Sequence, residues 1–137
     1  MTVSADLLFP PFSRGFHLIT DYITSHIGTL PQQGIVTIFI RHTSAALTIN
    51  ENADPDVRTD FSTYFDRLVP DGYKPFIHTF EGTDDMPAHI KASIIGTSVT
   101  IPIQNHRLHL GTWQGIYLCE FRNRPSRRTI TITIIGE

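Results

Sequence analysis

The sequence predicts an α+β fold: a single domain over residues 1–137, with a mostly antiparallel, partly mixed β-sheet and about three helices packed on it. Three observations carry this. Two segments alternate β-branched residues with a period of two, at Ile35–Arg41 and again at Ile130, Ile132 and Ile134. A third, after Asp54-Pro55, keeps helical spacing. The 137 residues, 40% hydrophobic and 18% charged, suffice for one core and are short for two, and no repeat or linker divides them.

Taken in order, Asp21 to Gly28 reads as a short helix with Thr20 as its N-cap and glycine as its stop. Ile35 to Arg41 reads as a strand buried on both faces, with His42 at its end in phase with Val36, Ile38 and Ile40. Leu47 to Glu51 follows as a second strand. Asp54 caps a helix with Pro55 in its first turn, and Val57, Phe61, Tyr64, Phe65 and Leu68 form its buried stripe until Pro70. Another helix opens near Asp85, with Pro87 in its first turn, and runs to Gly96. It places Ile90 and Ile94 on one side and His89 and Ser93 on another. From Ser98 the pattern is all strand: Val99, Ile101 and Ile103, then Ile116 to Phe121, then Ile130 to Ile134. In the last, the threonines face away from the isoleucines, giving either a half-wet surface or a face covered by another subunit.

Eleven basic and thirteen acidic side chains leave a net charge of −2, and no segment gathers enough cations for a nucleic-acid arm. Arg122, Arg124, Arg127 and Arg128 are the densest basic stretch, and serve either a phosphate ligand or an ion-paired rim. Cys119 is alone, which rules out an internal disulfide, and its apolar neighbours predict a buried, inert thiol. Nothing resembles a signal peptide, and no apolar run approaches the roughly 20 residues that span a bilayer, so no membrane partner and a cytoplasmic location are expected.

Chemistry-capable residues concentrate between Arg41 and Gln114. His78 and His89 flank Glu81, Asp84 and Asp85, offering the nitrogen and oxygen ligands of a divalent ion, zinc or magnesium. The eleven-residue spacing is neither a zinc-helix pair nor a finger. His42 is either a hydrogen-bonded structural residue or a ligand; Thr43, Ser44, Asn50, Glu51, Asn52 and Asp54 crowd behind it. Gly111-Thr112-Trp113-Gln114 is either a turn with a core tryptophan or a ligand-contacting loop. Nucleophile-elbow, P-loop and dinucleotide signatures are absent.

The runs His42-Thr43-Ser44-Ala45-Ala46-Leu47-Thr48-Ile49-Asn50-Glu51-Asn52, Asp85-Met86-Pro87-Ala88-His89-Ile90-Lys91-Ala92-Ser93 and Leu110-Gly111-Thr112-Trp113-Gln114-Gly115-Ile116 together resemble the YjbQ family, small bacterial and archaeal proteins assigned as secondary thiamine-phosphate synthases. The resemblance implies a compact α+β homotrimer with a histidine metal pocket near a subunit interface. It implies His42, His78 and His89 as metal ligands. The implied activity is weak: thiazole phosphate attacks a pyrimidine methyl pyrophosphate and pyrophosphate leaves. On that reading Glu51 or Asp85 orients the nucleophile or a water, Lys91 or Arg128 adds positive charge, and Asn50, Thr112 and Gln114 contact the small phosphorylated substrate. The same pocket serves equally a hydrolase of a phosphorylated small molecule, or a non-catalytic trimer with a structural metal. The chain departs from the family pattern at His106, where glycine is usual before the Gly-Thr-Trp-Gln motif. It departs again at Arg122-Asn123-Arg124-Pro125, where Asp-Gly-Pro-Arg is common.

Overall fold

A computed structural model describes residues 1–124 and 126–137. Its strands are β1 (Thr2–Leu8), β2 (Gly15–Leu18), β3 (Gln33–Ile40), β4 (Ala45–Glu51), β5 (Ser98–Gln104), β6 (Arg107–Leu108), β7 (Gln114–Glu120) and β8 (Thr129–Gly136). The helices are α1 (Thr20–Ile27), α2 (Pro55–Leu68) and α3 (Asp85–Ile95). Every pairing is antiparallel, in a five-stranded sheet of order β1-β8-β3-β5-β6 and a three-stranded sheet of order β2-β7-β4. The α+β architecture expected from sequence is present, with two sheets rather than one.

Alternation decides how the layers stack. On β7, Ile116 and Leu118 join Val36, Ile38, Ile101 and Ile132 in a core between the sheets. Tyr117 and Cys119 point the other way, into a second core with Phe16, Ala88 and Ala92. The three-stranded sheet is therefore the middle layer, which accounts for the unbroken apolar run at Ile116–Phe121. That run is interior and is not available as a subunit contact. Burial pushes the Cys119 thiol up, matching an inert group.

Several local expectations need correction. β3 is buried on one face only: Val36, Ile38 and Ile40 are inside, whereas Ile35 and Phe39 are exposed on the outer face of the five-stranded sheet. The Thr20 hydroxyl does not cap α1, because it accepts the Ile116 amide at 2.9 Å. The capping of α2 by Asp54, which accepts from the Asp56 amide at 2.9 Å, is as expected, yet only Phe61 and Phe65 of its stripe pack on the second core. Tyr64 and Leu68 are exposed. In α3 the buried face is Ala88, Lys91 and Ala92, while Ile94 faces solvent. The strands β1 and β2 are not evident in the sequence. β1 carries Ser4, Ala5 and Asp6 and forms by pairing along β8, where Asp6 accepts from the Thr131 hydroxyl at 2.7 Å and leaves a charge on the sheet edge.

The β5–β6 hairpin turns through Asn105 and His106, with φ of 54° and 63°. Both central residues are left-handed, as a two-residue hairpin requires. His106 tolerates the place where glycine was expected because its Nδ1–H donates to the Leu30 carbonyl at 2.8 Å. Asn105 accepts from Gln32 Nε2 at 3.0 Å.

Gly34 and Gly28 give a paired test of backbone constraint. A Cβ on Gly34, at φ 154°, would meet the Ile135 carbonyl oxygen at 2.1 Å, whereas one on Gly28, at φ 66°, meets nothing within 4 Å. Urea unfolding should show Gly34→Ala losing about 3 kcal/mol, from overpacking against β8 plus strain, and Gly28→Ala only about 1 kcal/mol. Equal losses would contradict the β3–β8 approach.

Candidate functional site

Asp85 begins α3 and His89 stands one turn on, so the helix presents both on one side. His78 arrives from the irregular segment between α2 and α3. Ligand-capable atoms of His78, Asp85 and His89 all lie within 4.8 Å of one another. His78 Nε2 donates to Asp85 Oδ2 at 2.7 Å, and His89 Nε2 lies 3.1 Å from the same oxygen. The Asp85 side chain is 2% exposed, against 44% for His78 and 30% for His89, so the carboxylate forms the floor and the imidazoles the rim.

The second hydrogen bond of His89 fixes its chemistry. Nδ1–H donates to the Thr43 carbonyl at 2.9 Å. A neutral ring so held keeps its lone pair on Nε2, facing a carboxylate oxygen that is also an acceptor. The pair is satisfied only by an extra proton or by a shared cation. A metal-ligating histidine commonly donates its other ring N–H to a backbone carbonyl in this way, which fixes the tautomer and the ring orientation. Tetrahedral bonds of about 2.0–2.1 Å place ligands roughly 3.3 Å apart; the two histidine contacts to Asp85 Oδ2 are a few tenths tighter than this, and the three ligand atoms lie within 4.8 Å of one another.

Charge points the same way. Asp84 Oδ2 accepts from Arg122 Nε at 2.9 Å, Asp85 Oδ1 from Arg122 Nη1 at 2.5 Å, and Glu81 lies 3.8 Å from the same guanidinium. Three carboxylates share one cation, leaving two negative charges for a divalent ion to balance. Burial works to raise the Asp85 carboxyl, but the His78 hydrogen bond, then His89 and Arg122, together hold it below the ordinary carboxylate range.

His42 does not join this group. Its Nε2 accepts the Thr129 amide at 2.8 Å, which puts the ring proton on Nδ1 and leaves neither nitrogen with a free lone pair. The structure thus brings together two of the three predicted histidines, His78 and His89, with Asp85, and leaves His42 apart from them. The His42-Thr43-Ser44 run supports the site instead: Thr43 orients His89, and Ser44 Oγ accepts from Arg128 at 2.9 Å. Arg128 is buried and bidentate on Glu120, at 2.7 and 2.6 Å. Lys91 is 0% exposed, with Nζ on Asp66 at 2.7 Å. Both cations expected to meet substrate are therefore spent inside the protein.

The remaining predicted residues sit elsewhere. In the β4–β7 register Ala45 opposes Glu120 near the cluster, and Glu51 opposes Gln114 at the far end, about 20 Å away for strands of this length. Glu51 there accepts the Asp54 amide at 3.2 Å. Asn50 accepts the Glu51 amide at 2.8 Å. Asn52 clamps the Gly111–Gln114 turn by donating to the Thr112 and Gln114 carbonyls at 3.2 and 3.1 Å, with Trp113 65% exposed rather than in the core. Arg122, expected to serve either a phosphate ligand or an ion-paired rim, is ion-paired with Asp84 and Asp85. Its signal was the acidic run it answers, thirty-seven residues earlier. Pro125, the last residue of that departure, lies outside the described residues.

Burial first, and Arg128 second, depress the His42 pKa below its ordinary value. The unfolded chain thus protonates more readily than the folded one, so stability present above about pH 6.5 should fall as pH drops from 6.5 towards 5. Urea unfolding at pH 7 and pH 5 should show a smaller drop for His42→Gln than for the parent. An identical drop would remove the assignment.

The UPF0047 protein YjbQ-like family model matches residues 8–137. UPF0047 protein YjbQ of Salmonella typhimurium is 49% identical over 126 residues, 90% of this chain and 91% of that protein. A UPF0047 protein of Methanocaldococcus jannaschii is 45% identical over 120 residues, 87% and 83% of the two chains. Among solved structures, a conserved hypothetical protein from Thermus thermophilus superposes with a TM-score of 0.85 at 30% identity, covering 96% of this chain and 99% of that one. A YbjQ-like protein of unknown function from Sulfolobus solfataricus gives 0.83 at 27% identity, covering 100% and 99%. Identity of this extent, on a shared fold, means that the chain belongs to the YjbQ-like UPF0047 family.

Proposed function

We propose that the protein is a metal-dependent enzyme acting on a small phosphorylated molecule, with His78, His89 and Asp85 holding one divalent cation. The observation that carries this reading is the pair of acceptors, His89 Nε2 and Asp85 Oδ2, set 3.1 Å apart with Nδ1–H committed to Thr43. The resemblance gives the reaction: pyrimidine methyl pyrophosphate joined to thiazole phosphate, with pyrophosphate leaving, as in a thiamine-phosphate synthase. A bound divalent ion supplies Lewis acidity and neutralises charge on a phosphate or pyrophosphate leaving group. The chain's own part is positional. Asp85 anchors the floor, Thr43 holds His89 in one tautomer, and Arg122 ties the segment carrying Glu81 to the start of α3. The half-exposed His78 leaves one side of the cluster open to a small molecule, as a catalytic shell needs and a closed structural shell does not.

Elemental analysis should find about one divalent ion per chain. His78→Ala, His89→Ala and Asp85→Asn should each lose it, while His42→Gln retains it. Thiamine phosphate formation from the two substrates should fall at least a hundredfold in the three metal-free variants and with chelator. Full metal content in those variants, or turnover indifferent to chelator, would defeat the proposal.

A homotrimer is the assembly proposed with it. The outer face of the five-stranded sheet leaves Ile35, Phe39 and Ile135 exposed among Thr37, Thr131 and Thr133, and Ile77 and Phe80 beside His78 are 98% and 100% exposed. Such apolar surface suits a subunit contact. Light scattering should return three times the 15.5 kDa chain mass, and a monomer mass at micromolar concentration would contradict it.

A further inference from the structure

We infer that Arg122 sets the metal preference of the site, making it a borderline-cation centre for Zn2+ or Co2+ that excludes Mg2+ and disfavours Mn2+. The inference rests on the metal reading above and concerns which ion is held. Arg122 Nη1 takes Asp85 Oδ1 at 2.5 Å, so Oδ2 is the oxygen left facing the histidines and chelation by Asp85 through both oxygens competes with the guanidinium. Arg122 Nε and the Asn123 amide, at 2.9 and 2.8 Å, both take Asp84 Oδ2, which draws the neighbouring carboxylate away as well. Two imidazole nitrogens and one carboxylate oxygen remain. That donor set suits zinc and cobalt, whereas Mg2+ and Mn2+ favour six-coordinate, oxygen-rich shells.

The guanidinium also adds a fixed positive charge beside the ion. A cation that draws its affinity mainly from carboxylate charge loses most from this, and one that bonds well to imidazole loses least. The fork geometry matters, because one planar group reaches Asp84, Asp85 and the Glu81 carbonyl together, the last at 2.9 Å. The sequence signal of two histidines among three acids, compatible with zinc or magnesium, is thereby narrowed by a residue outside the acidic run.

Competition titrations with a chromophoric chelator, reading Zn2+ and Mn2+ affinities on intact protein, test this. In Arg122→Gln the freed oxygens should strengthen Mn2+ binding, and the Zn2+/Mn2+ affinity ratio should fall by about tenfold or more. Arg122→Lys, which keeps charge but not the fork, should lie between. An unchanged ratio, or parallel loss of both affinities, overturns the inference and leaves the metal site standing. Should Arg122→Gln not fold by circular dichroism, the parent protein decides: millimolar Mg2+ is expected to leave bound Zn2+ in place, and displacement overturns the assignment. Binding of neither metal by the parent protein would remove the metal site and this inference together.

Discussion

The site depends on a strand that is buried on both faces. β7 runs through the middle layer with Ile116 and Leu118 in one core and Tyr117 and Cys119 in the other, so its last residue, Glu120, has no route to water. A carboxylate there requires a partner, and Arg128 supplies a bidentate one. Its guanidinium also binds the Ser44 hydroxyl and lies against the Ser44 carbonyl, which pins the turn leading into β4. The neighbouring Thr43 carbonyl is then fixed where it meets His89. Orientation of the imidazole thus traces back to the burial of an acid on the central strand.

A second network reaches the cluster from the opposite side. The Arg122 amide donates to Glu120 Oε2, and its side chain spans Asp84, Asp85 and Glu81. Asn123 extends the network: its amide meets Asp84 and its Oδ1 accepts from Arg14, which also pairs with Asp66 and Asp71. Among the described residues no buried side-chain nitrogen or oxygen lacks a partner. At the buried Asp84 and Asp85, low local dielectric makes these bonds strong and a vacancy costly, so those two acids hold fixed positions rather than adapting to a ligand. Rigid placement of this kind is what the proposed metal site needs.

Much of the outline was legible in the sequence because it follows local rules. The Asp54-Pro55 start of α2, the Gly96 end of α3, the alternation in β8 and the positions of Asp85 and His89 at a helix start all come from capping and periodicity. Where local preference is weak, pairing decided: β1 exists because β8 offers a partner, and β2 because β7 does. The same holds for faces. Period-two alternation shows that β3 has two sides, but only the stacking of a second sheet on one of them makes Val36 interior and Phe39 exposed.

By itself the sequence determined the α+β class, most elements, the family likeness, and the gathering of imidazoles and carboxylates around residues 78–89. Tertiary structure alone decided which of them meet. It turned His42 towards the Thr129 amide, sank Lys91 and Arg128 into internal ion pairs, and set Glu51 and Gln114 at the far end of the strands from Asp85. It also brought Arg122 onto an acidic run distant in the chain. The physical reason is that a side chain's chemistry is set by its partners and its access to water. Neither is a property of the residue or its neighbours in sequence; both arise when layers pack and buried charges must be matched across them.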